Sequence, residues 1–241
     1  MSPDIRKHRG AHPEDRKLFA DDQLAALRAA VAELSWLLTR DYKIKSALKL
    51  VGDKFALNDR QRLAVSRAAC SDQSKAHRQS SRVALDCLGG EPVTIDGFNL
   101  IITVEALLSR GVLMRCRDTC IRDLSSVHSS YRPVNETEEA VILIGEILAE
   151  VRAGPVAWTL DKPISNSGRL AQKVRALAGR HKWAWQVDVA FNPDRELAQS
   201  GRIVISSDGP LLDRVQRWSN ISEALIEKTV ADLWLIDLSC A

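Results

Sequence analysis

The stretch PVTIDGFNLIITVEALL, residues 92–108, joins a short apolar run to a helical pattern through an Asp-Gly turn. Further apolar runs follow it at GVLM (111–114), VAWTL (156–160), WAWQVDVAF (183–191) and RIVIS (202–206), separated by segments with helical periodicity. Strands that alternate with helices predict a parallel sheet covered by helices on both faces. Residues 91–241 are therefore predicted to form one α/β domain.

The first 88 residues are predicted to form a separate helical module. Asp21 or Asp22 is expected to cap a helix, a second helix covers Lys43 to Val51, and Asn58 caps a third that extends as far as Leu85. The first helix is expected to carry its apolar residues on one stripe: Leu24, Leu27, Val31, Leu34, Trp36, Leu37 and Leu38.

The composition indicates a folded globular protein and argues against a membrane protein. The 241 residues are 45% hydrophobic and 27% charged, which is typical of a folded globular chain. No apolar run approaches the length of a membrane span, and the first residues are charged, unlike those of a signal peptide. We therefore expect a cytoplasmic protein with no membrane partner and with reduced cysteines. Neither a G-x-G-x-x-G nor a G-x-x-x-x-G-K-[ST] motif occurs, which argues against a Rossmann dinucleotide site and a P-loop.

Charge is distributed unevenly along the chain. Residues 1–90 contain 17 Lys and Arg against 11 Asp and Glu, whereas the remainder contains 17 against 20. A basic module beside an acidic domain is consistent with a basic surface that binds nucleic acid. Solvent-exposed helix faces explain this excess of Lys and Arg equally well. The candidate contacts are Lys43, Lys45, Lys49, Arg60, Arg62 and Arg67.

Three apolar runs of the α/β domain end in aspartate: Asp96, Asp161 and Asp208. Because ligands of open parallel sheets bind beyond the carboxyl ends of the strands, these side chains are expected to converge at one edge. Clustered carboxylates repel each other unless a cation neutralises them, and Mg²⁺ or Mn²⁺ suits an all-oxygen site. Each aspartate alone would also serve as a helix cap or turn residue.

The motif IDGFN (95–99) and the strand-final SSD (206–208) resemble the NYN nucleases of the PIN-like superfamily. That resemblance implies a three-layer domain with a mostly parallel sheet and metal-dependent hydrolysis of phosphodiesters, usually in RNA. It implies Asp96 as the central metal ligand, Asn99 as a residue that orients it or touches substrate, and Asp161 and Asp208 as further ligands. The fourth acidic ligand is left open among Glu105, Asp118 and Asp123, with Asp123 the one assigned to metal.

The whole chain also resembles an uncharacterised prokaryotic family known as domain of unknown function 434, in which a helical module precedes an α/β domain. The segments that carry this likeness are LSWLL (34–38), SALKLVGDKF (46–55), RQRLAVSRAACSD (60–72), IDGFNLIITVEALL (95–108), LDKPISNSGRL (160–170) and ISSDGPLLDR (205–214). The resemblance implies an architecture but no activity.

Two segments are candidates for completing the site. Ser165, Asn166, Ser167 and Arg169 connect a strand to a helix, and are expected either to hold a phosphate or to form an ordinary helix cap. The polar segment 117–132 is predicted to be a loop in which His128, Arg122 or Arg132 acts on charge or protons, or in which salt bridges hold the surface. Cys116, Cys120 and His128 suggest a zinc site only weakly, since a second ligand pair is missing.

The sequence therefore predicts metal-dependent phosphodiester hydrolysis of nucleic acid, with RNA favoured by the resemblance alone. The main alternative is a regulatory protein on the same fold that binds a nucleotide or RNA without turnover. A different phosphotransfer enzyme, Toprim-like or phosphatase-like, is a third interpretation. A homo-oligomer is left open.

Overall fold

A computed structural model describes residues 8–125, 131–229 and 233–239. In these residues the chain forms a helical N-terminal region, a five-stranded sheet and a separate three-stranded sheet. The prediction of an α/β fold with a mostly parallel sheet is confirmed. None of the described helices has the length and apolar character that crossing a membrane demands.

In its described residues the N-terminal region contains a 3-10 helix at Leu85–Leu88 and, before it, five α-helices. They are α1 (Asp15–Leu18), α2 (Asp21–Thr39), α3 (Ile44–Lys54), α4 (Asp59–Ala68) and α5 (Asp72–Ser81). Asn58 caps α4 as predicted, because its side chain accepts from the Gln61 amide and the Gln61 side chain accepts in return from the Asn58 amide. The prediction of one long third helix is wrong: Ala69 is extended and Ser71 caps a new helix, α5.

Two expectations about α2 are also wrong. The residue that caps it is Ala20, and Asp21 and Asp22 lie in the first turn, where their charges favour the helix dipole. Trp36 does not join the apolar stripe and is 55% exposed, whereas Leu27, Val31 and Leu34 are fully buried.

The larger sheet has five strands: β1 (Val93–Asp96), β4 (Val156–Asp161), β5 (Trp185–Ala190), β6 (Ile203–Ile205) and β7 (Trp218–Ser219). Their order across the sheet is β5-β4-β1-β6-β7, and all neighbouring strands are parallel. Parallel strands present their carboxyl ends at one edge, so Asp96 and Asp161 lie at that edge by construction.

Helices cover both faces of this sheet. They are α6 (Gly97–Leu108), α7 (Thr137–Glu150), α8 (Ser167–His181), α9 (Pro193–Gln199), α10 (Gly209–Leu212) and α11 (Ser222–Thr229). In β6, Ile203 and Ile205 pack into the core formed with α6, α7 and α8, while Val204 packs into a second core with Leu197 and Leu211. The alternation of buried residues along β6 thus supplies both faces of a three-layer arrangement.

The smaller sheet links the helical region to the α/β domain. It consists of β2 (Leu113–Arg115), β3 (Ile121–Asp123) and β8 (Leu235–Asp237), with β2 antiparallel to β3 and parallel to β8. Met114 packs with the core of α2, α3 and α4, whereas Leu113 packs with Ala106 of α6. The segment 117–132, predicted as a loop, therefore contains β3, and its residues 126–130 lie outside the described structure.

Candidate functional site

A cavity of about 790 Å³ lies between the carboxyl edge of the parallel sheet and helices α4 and α5. The structure brings Asp96, Asp161 and Asp208 together on its wall. Asn99 and Asp123 also line it, as do Arg67 and Arg78 from the helical region. The cavity therefore combines groups from both parts of the chain.

Asp96 is the most buried of the three aspartates. It ends β1 and starts α6, and Gly97 follows because a Cβ there would lie 2.6 Å from Cδ2 of Leu160. The hydroxyl of Ser206 donates a hydrogen bond of 2.8 Å to Asp96 Oδ2. Burial, together with the charges of Asp208, Asp161 and Asp194, raises the pKa of Asp96 to about 7 even though the Ser206 bond lowers it.

Asp208 lies three residues beyond the end of the neighbouring strand, β6. It caps α10 by accepting from the Leu211 amide at 3.0 Å, and its own amide donates to the Ser206 hydroxyl at 3.0 Å. Burial and the charge of Asp194 raise its pKa. The interpretation of Asp208 as a helix cap is thus correct, and Asp208 also lines the cavity.

Asn99 ties the first turn of α6 to the residues after β6. Its Oδ1 accepts from the Ser207 amide at 2.9 Å and from the Ser207 hydroxyl at 3.0 Å. The Asp-Gly-Phe-Asn motif therefore fixes the relative position of the ends of β1 and β6. Asn99 Oδ1 thus accepts hydrogen bonds from Ser206 and Ser207, and its role in orienting Asp96 or touching substrate stays a prediction.

Asp194 is a further carboxylate of the cavity that the sequence did not predict. It lies in the first turn of α9, and its exposed carboxylate is 3.8 Å from Nη1 of Arg214. Burial of Asp161, together with the charges of Asp194 and Asp208, raises the pKa of Asp161. Asp194 also follows an apolar run, which is the pattern that predicted the other three aspartates. It lies four residues beyond the end of β5, so the pattern is weaker there.

The structure separates the three candidates for a fourth acidic ligand. Glu105 is buried away from the cavity and accepts from Arg9 and Tyr131. Asp118 is held between Arg78 and Arg122, and these charges hold its pKa at about 2 although burial alone would raise it. Only Asp123 lines the cavity, and it accepts from Thr103 Oγ1 at 2.8 Å and from the Ser125 amide.

The cavity wall is acidic overall. Among the described lining residues, six aspartates (Asp96, Asp123, Asp161, Asp194, Asp208 and Asp213) stand against three arginines (Arg67, Arg78 and Arg122). Carboxylate oxygens suit Mg²⁺ or Mn²⁺. In the part of the chain described, no three His, Cys, Asp or Glu side chains are grouped closely enough to hold one ion. Water molecules would have to complete the shell of a cation bound here.

The predicted phosphate turn lies beside the cavity but does not line it. Asn166 adopts a left-handed conformation with φ 66° and donates from Nδ2 to the Tyr131 carbonyl at 2.7 Å. Ser167 is buried, and Ser165 and Arg169 are exposed. Ile164, the residue before this turn, lines the cavity. The arrangement resembles the ordinary helix start more than a phosphate cradle.

Several basic residues expected to bind nucleic acid are bound within the protein. Arg60 pairs with Asp15, Arg62 donates to Asp53 at 2.8 Å, and Arg67 donates to the carbonyl oxygens of Asp123 and Ser125 at 2.6 and 2.8 Å. Lys49 pairs with Asp53 as well. Lys43 and Lys45 are exposed on either side of Ile44, which lines the cavity.

The thiols give no support to a zinc site. Cys116 and Cys120 are fully buried, and burial raises the pKa of Cys116 to about 11. A thiol must lose its proton to bind zinc, so this environment opposes coordination. His128 lies outside the described residues.

Comparisons with known proteins give a family without an activity. Residues 85–224 match the family model "Domain of unknown function (DUF5616)", and residues 26–80 match "Protein of unknown function (DUF434)". The chain is 29% identical over 187 residues to the "Uncharacterized protein MJ0935" of Methanocaldococcus jannaschii, covering 78% of this chain and 89% of that protein. No solved structure matches. The resemblance to domain of unknown function 434 is therefore confirmed for the helical region, while the α/β domain matches a separate model.

Proposed function

The chain belongs to the family defined by the Domain of unknown function (DUF5616), and we propose that it is a metal-dependent nuclease of PIN/NYN type that hydrolyses RNA. One observation carries the proposal: four aspartates line one cavity, and mutual repulsion contributes to the raised pKa of three of them. Asp96 and Asp161 end parallel strands, Asp208 caps the helix after β6, and Asp194 lies in α9.

A cluster of this kind is costly to maintain in a purely structural site. Buried carboxylates are usually paired with cations or fully hydrogen-bonded. Asp96 accepts from the hydroxyl of Ser206 and Asp208 accepts from the backbone amide of Leu211. Asp118, by contrast, forms ion pairs with Arg78 and Arg122. An added divalent cation would remove the repulsion among the four carboxylates.

The protein residues have separable tasks in this proposal. Asp96, Asp161, Asp194 and Asp208 would hold a hydrated cation, with water molecules between some of the carboxylates and the ion. Ser206 and Asn99 keep the ends of β1 and β6 in register. When bound, a divalent cation supplies a more acidic water and stabilises charge on the scissile phosphate. Asp123 is assigned a supporting role, because Thr103 and the Ser125 amide occupy its carboxylate.

The negative wall also bears on the substrate. Phosphates are repelled by a net acidic cavity, so a phosphodiester would approach this site only with a cation in place. RNA is favoured by the likeness of residues 95–99 to NYN nucleases. The other interpretation of the same cavity, binding of a nucleotide or RNA without turnover, keeps the contacts and lacks the hydrolysis.

Cleavage of a labelled single-stranded RNA tests the proposal. The full-length protein is incubated with Mg²⁺, with Mn²⁺ or with a chelator, and Asp96→Asn is compared with Asp188→Asn, whose exposed side chain accepts from Gln186 on β5 outside the cavity. We expect cleavage by the wild type and by Asp188→Asn that the chelator abolishes. Asp96→Asn should lower the rate by a factor of about 10³ or more.

The outcomes separate the function classes. RNA binding without cleavage in any metal would favour the regulatory protein. Cleavage that persists in Asp96→Asn would place the reaction elsewhere, and the same holds for cleavage that survives the chelator.

A further inference from the structure

Two buried arginines of the cavity wall meet on one buried carboxylate. Arg78 of α5 donates from Nη1 to Asp118 Oδ2 at 2.6 Å, and Arg122 of β3 donates from Nη1 and Nη2 to the two oxygens of Asp118 at 2.9 and 2.6 Å. All three side chains are at most 9% exposed. We call this set the Arg78–Asp118–Arg122 bridge.

The bridge holds both ends of the segment that carries Asp208. Nε of Arg122 donates to the Ser207 carbonyl, one residue before Asp208, at 2.6 Å. Nε and Nη2 of Arg78 donate to the two carboxylate oxygens of Asp213, just after α10, each at 2.8 Å. A bidentate pair of this kind fixes orientation as well as distance.

The packing of Gly209 shows how closely the bridge approaches this segment. A Cβ at Gly209 would lie 3.0 Å from Nη2 of Arg78, so the guanidinium lies against the backbone next to Asp208. The Arg78 carbonyl also accepts from Trp218 Nε1 at 2.8 Å, which ties α5 to the edge strand β7. The guanidinium of Arg78 is therefore held by Asp118 and Asp213, and the backbone of Arg78 by Trp218.

We propose that the Arg78–Asp118–Arg122 bridge positions Asp208, so that the helical region is a required part of the active site. The proposal rests on the proposed function, and Arg78, Asp118 and Arg122 are positioning residues in it, because they act through the backbone around Asp208. A helical region that served only to bind substrate would not need an arginine, Arg78, that is bound to Asp118 and Asp213 of the α/β domain.

Asp213→Asn is the variant that loosens the bridge with least risk to the fold. The Asp213 side chain is 35% exposed, and the change removes the charge that Arg78 binds while keeping the shape. Asp72→Asn is the matched control: Asp72 accepts from Arg117 at 2.6 Å, which also joins the helical region to the α/β domain, but it does not contact residues 207–213. Arg78→Lys is a second variant that keeps the charge and loses the fork.

The first readout is hydrogen exchange of the Leu211 amide, which donates to Asp208. We expect exchange about tenfold faster in Asp213→Asn and in Arg78→Lys, and unchanged in Asp72→Asn. The second readout is Mn²⁺ affinity measured by calorimetry on the full chain without RNA. It should fall about tenfold in the two bridge variants, as is usual when a supporting contact of a metal ligand is lost.

The outcomes are separable from those of the proposed function. Unchanged Leu211 exchange in both variants would overturn the positioning role. So would faster exchange with unchanged Mn²⁺ affinity, because the bridge would then stabilise α10 without acting on the site. If the wild type neither binds Mn²⁺ nor cleaves RNA, the proposed function is wrong, and Leu211 exchange alone decides whether the bridge holds Asp208.

Discussion

The hydroxyl of Ser206 donates a 2.8 Å hydrogen bond to the carboxylate of Asp96 and so connects the carboxyl ends of β1 and β6. The same hydroxyl accepts from the Asp208 amide at 3.0 Å. One small side chain thus couples two aspartates of the candidate site, and its removal should affect both.

Replacing Asp96 with Asn should stabilise the metal-free protein at alkaline pH. The pKa of Asp96 in the folded protein, about 7, lies above the ordinary value of 3.8. The contribution of Asp96 to the free energy of unfolding is therefore fully present below pH 4 and is lost as pH rises through 7. An uncharged Asn avoids this loss, which corresponds to about 2–4 kcal/mol at pH 8. Urea unfolding in the presence of chelator measures it, and a variant less stable than the wild type at pH 8 would contradict the prediction.

Metal binding should depend on pH below neutrality. Asp96 must lose its proton before it can bind a cation, so Mn²⁺ affinity should rise about tenfold per pH unit up to pH 7 and then level off. Calorimetric titrations at four pH values between 5.5 and 8.5 measure the slope. A constant affinity over this range would show that Asp96 binds no metal or is already ionised.

Ser206→Ala should move this pH dependence upward. The Ser206 hydroxyl stabilises the ionised form of Asp96 and lowers its pKa, so its loss should shift the midpoint by about one pH unit. Ser200→Ala is a suitable control, since the Ser200 hydroxyl donates to the Leu197 carbonyl in another turn. If both variants titrate like the wild type, the 2.8 Å bond does not act on Asp96.

The sequence predicts the acidic edge because the underlying rule is local. An apolar run that leads into Asp marks the end of a buried strand, and parallel strands carry their ends to the same edge, so Asp96, Asp161 and Asp208 are expected together. Contacts between distant parts of the chain leave no such pattern. Arg78 and Asp213 are 135 residues apart, and the three-residue strand β8 pairs with β2 across more than a hundred residues. These contacts follow from tertiary packing, which periodicity does not report.

The buried carboxylate of Asp118 should make the fold sensitive to acid. Arg122 and Arg78 outweigh its burial and hold the folded pKa at about 2, below the ordinary 3.8, so the stability from this group is present above pH 4 and is lost as pH falls through 2. The loss amounts to about 2 kcal/mol. Carboxyl NMR titration of the wild type measures the midpoint, and a value near 4 would mean that the two arginines do not hold the charge.

Arg60 is expected to stabilise the fold rather than to bind nucleic acid. Its Nη2 donates to Asp15 Oδ2 at 2.7 Å, and the Asp15 side chain is completely buried. Arg60→Ala would leave that carboxylate buried without its cation, which should cost about 2–4 kcal/mol of unfolding free energy. Because the guanidinium is already bound, the salt dependence of RNA affinity should not change.

Lys43 and Lys45 should behave in the opposite way. Both are exposed and flank Ile44 at the cavity wall, so replacing both with Ala should leave stability within about 0.5 kcal/mol of the wild type. If each contacts a phosphate, the log–log slope of RNA affinity against salt should become shallower by about 0.7 per lysine. Urea unfolding and a salt series on the same preparations measure both effects. The opposite result would contradict both predictions: a shallower salt slope of RNA affinity in Arg60→Ala, with no change in the double lysine variant. It would show that Arg60 contacts RNA although the structure pairs it with Asp15.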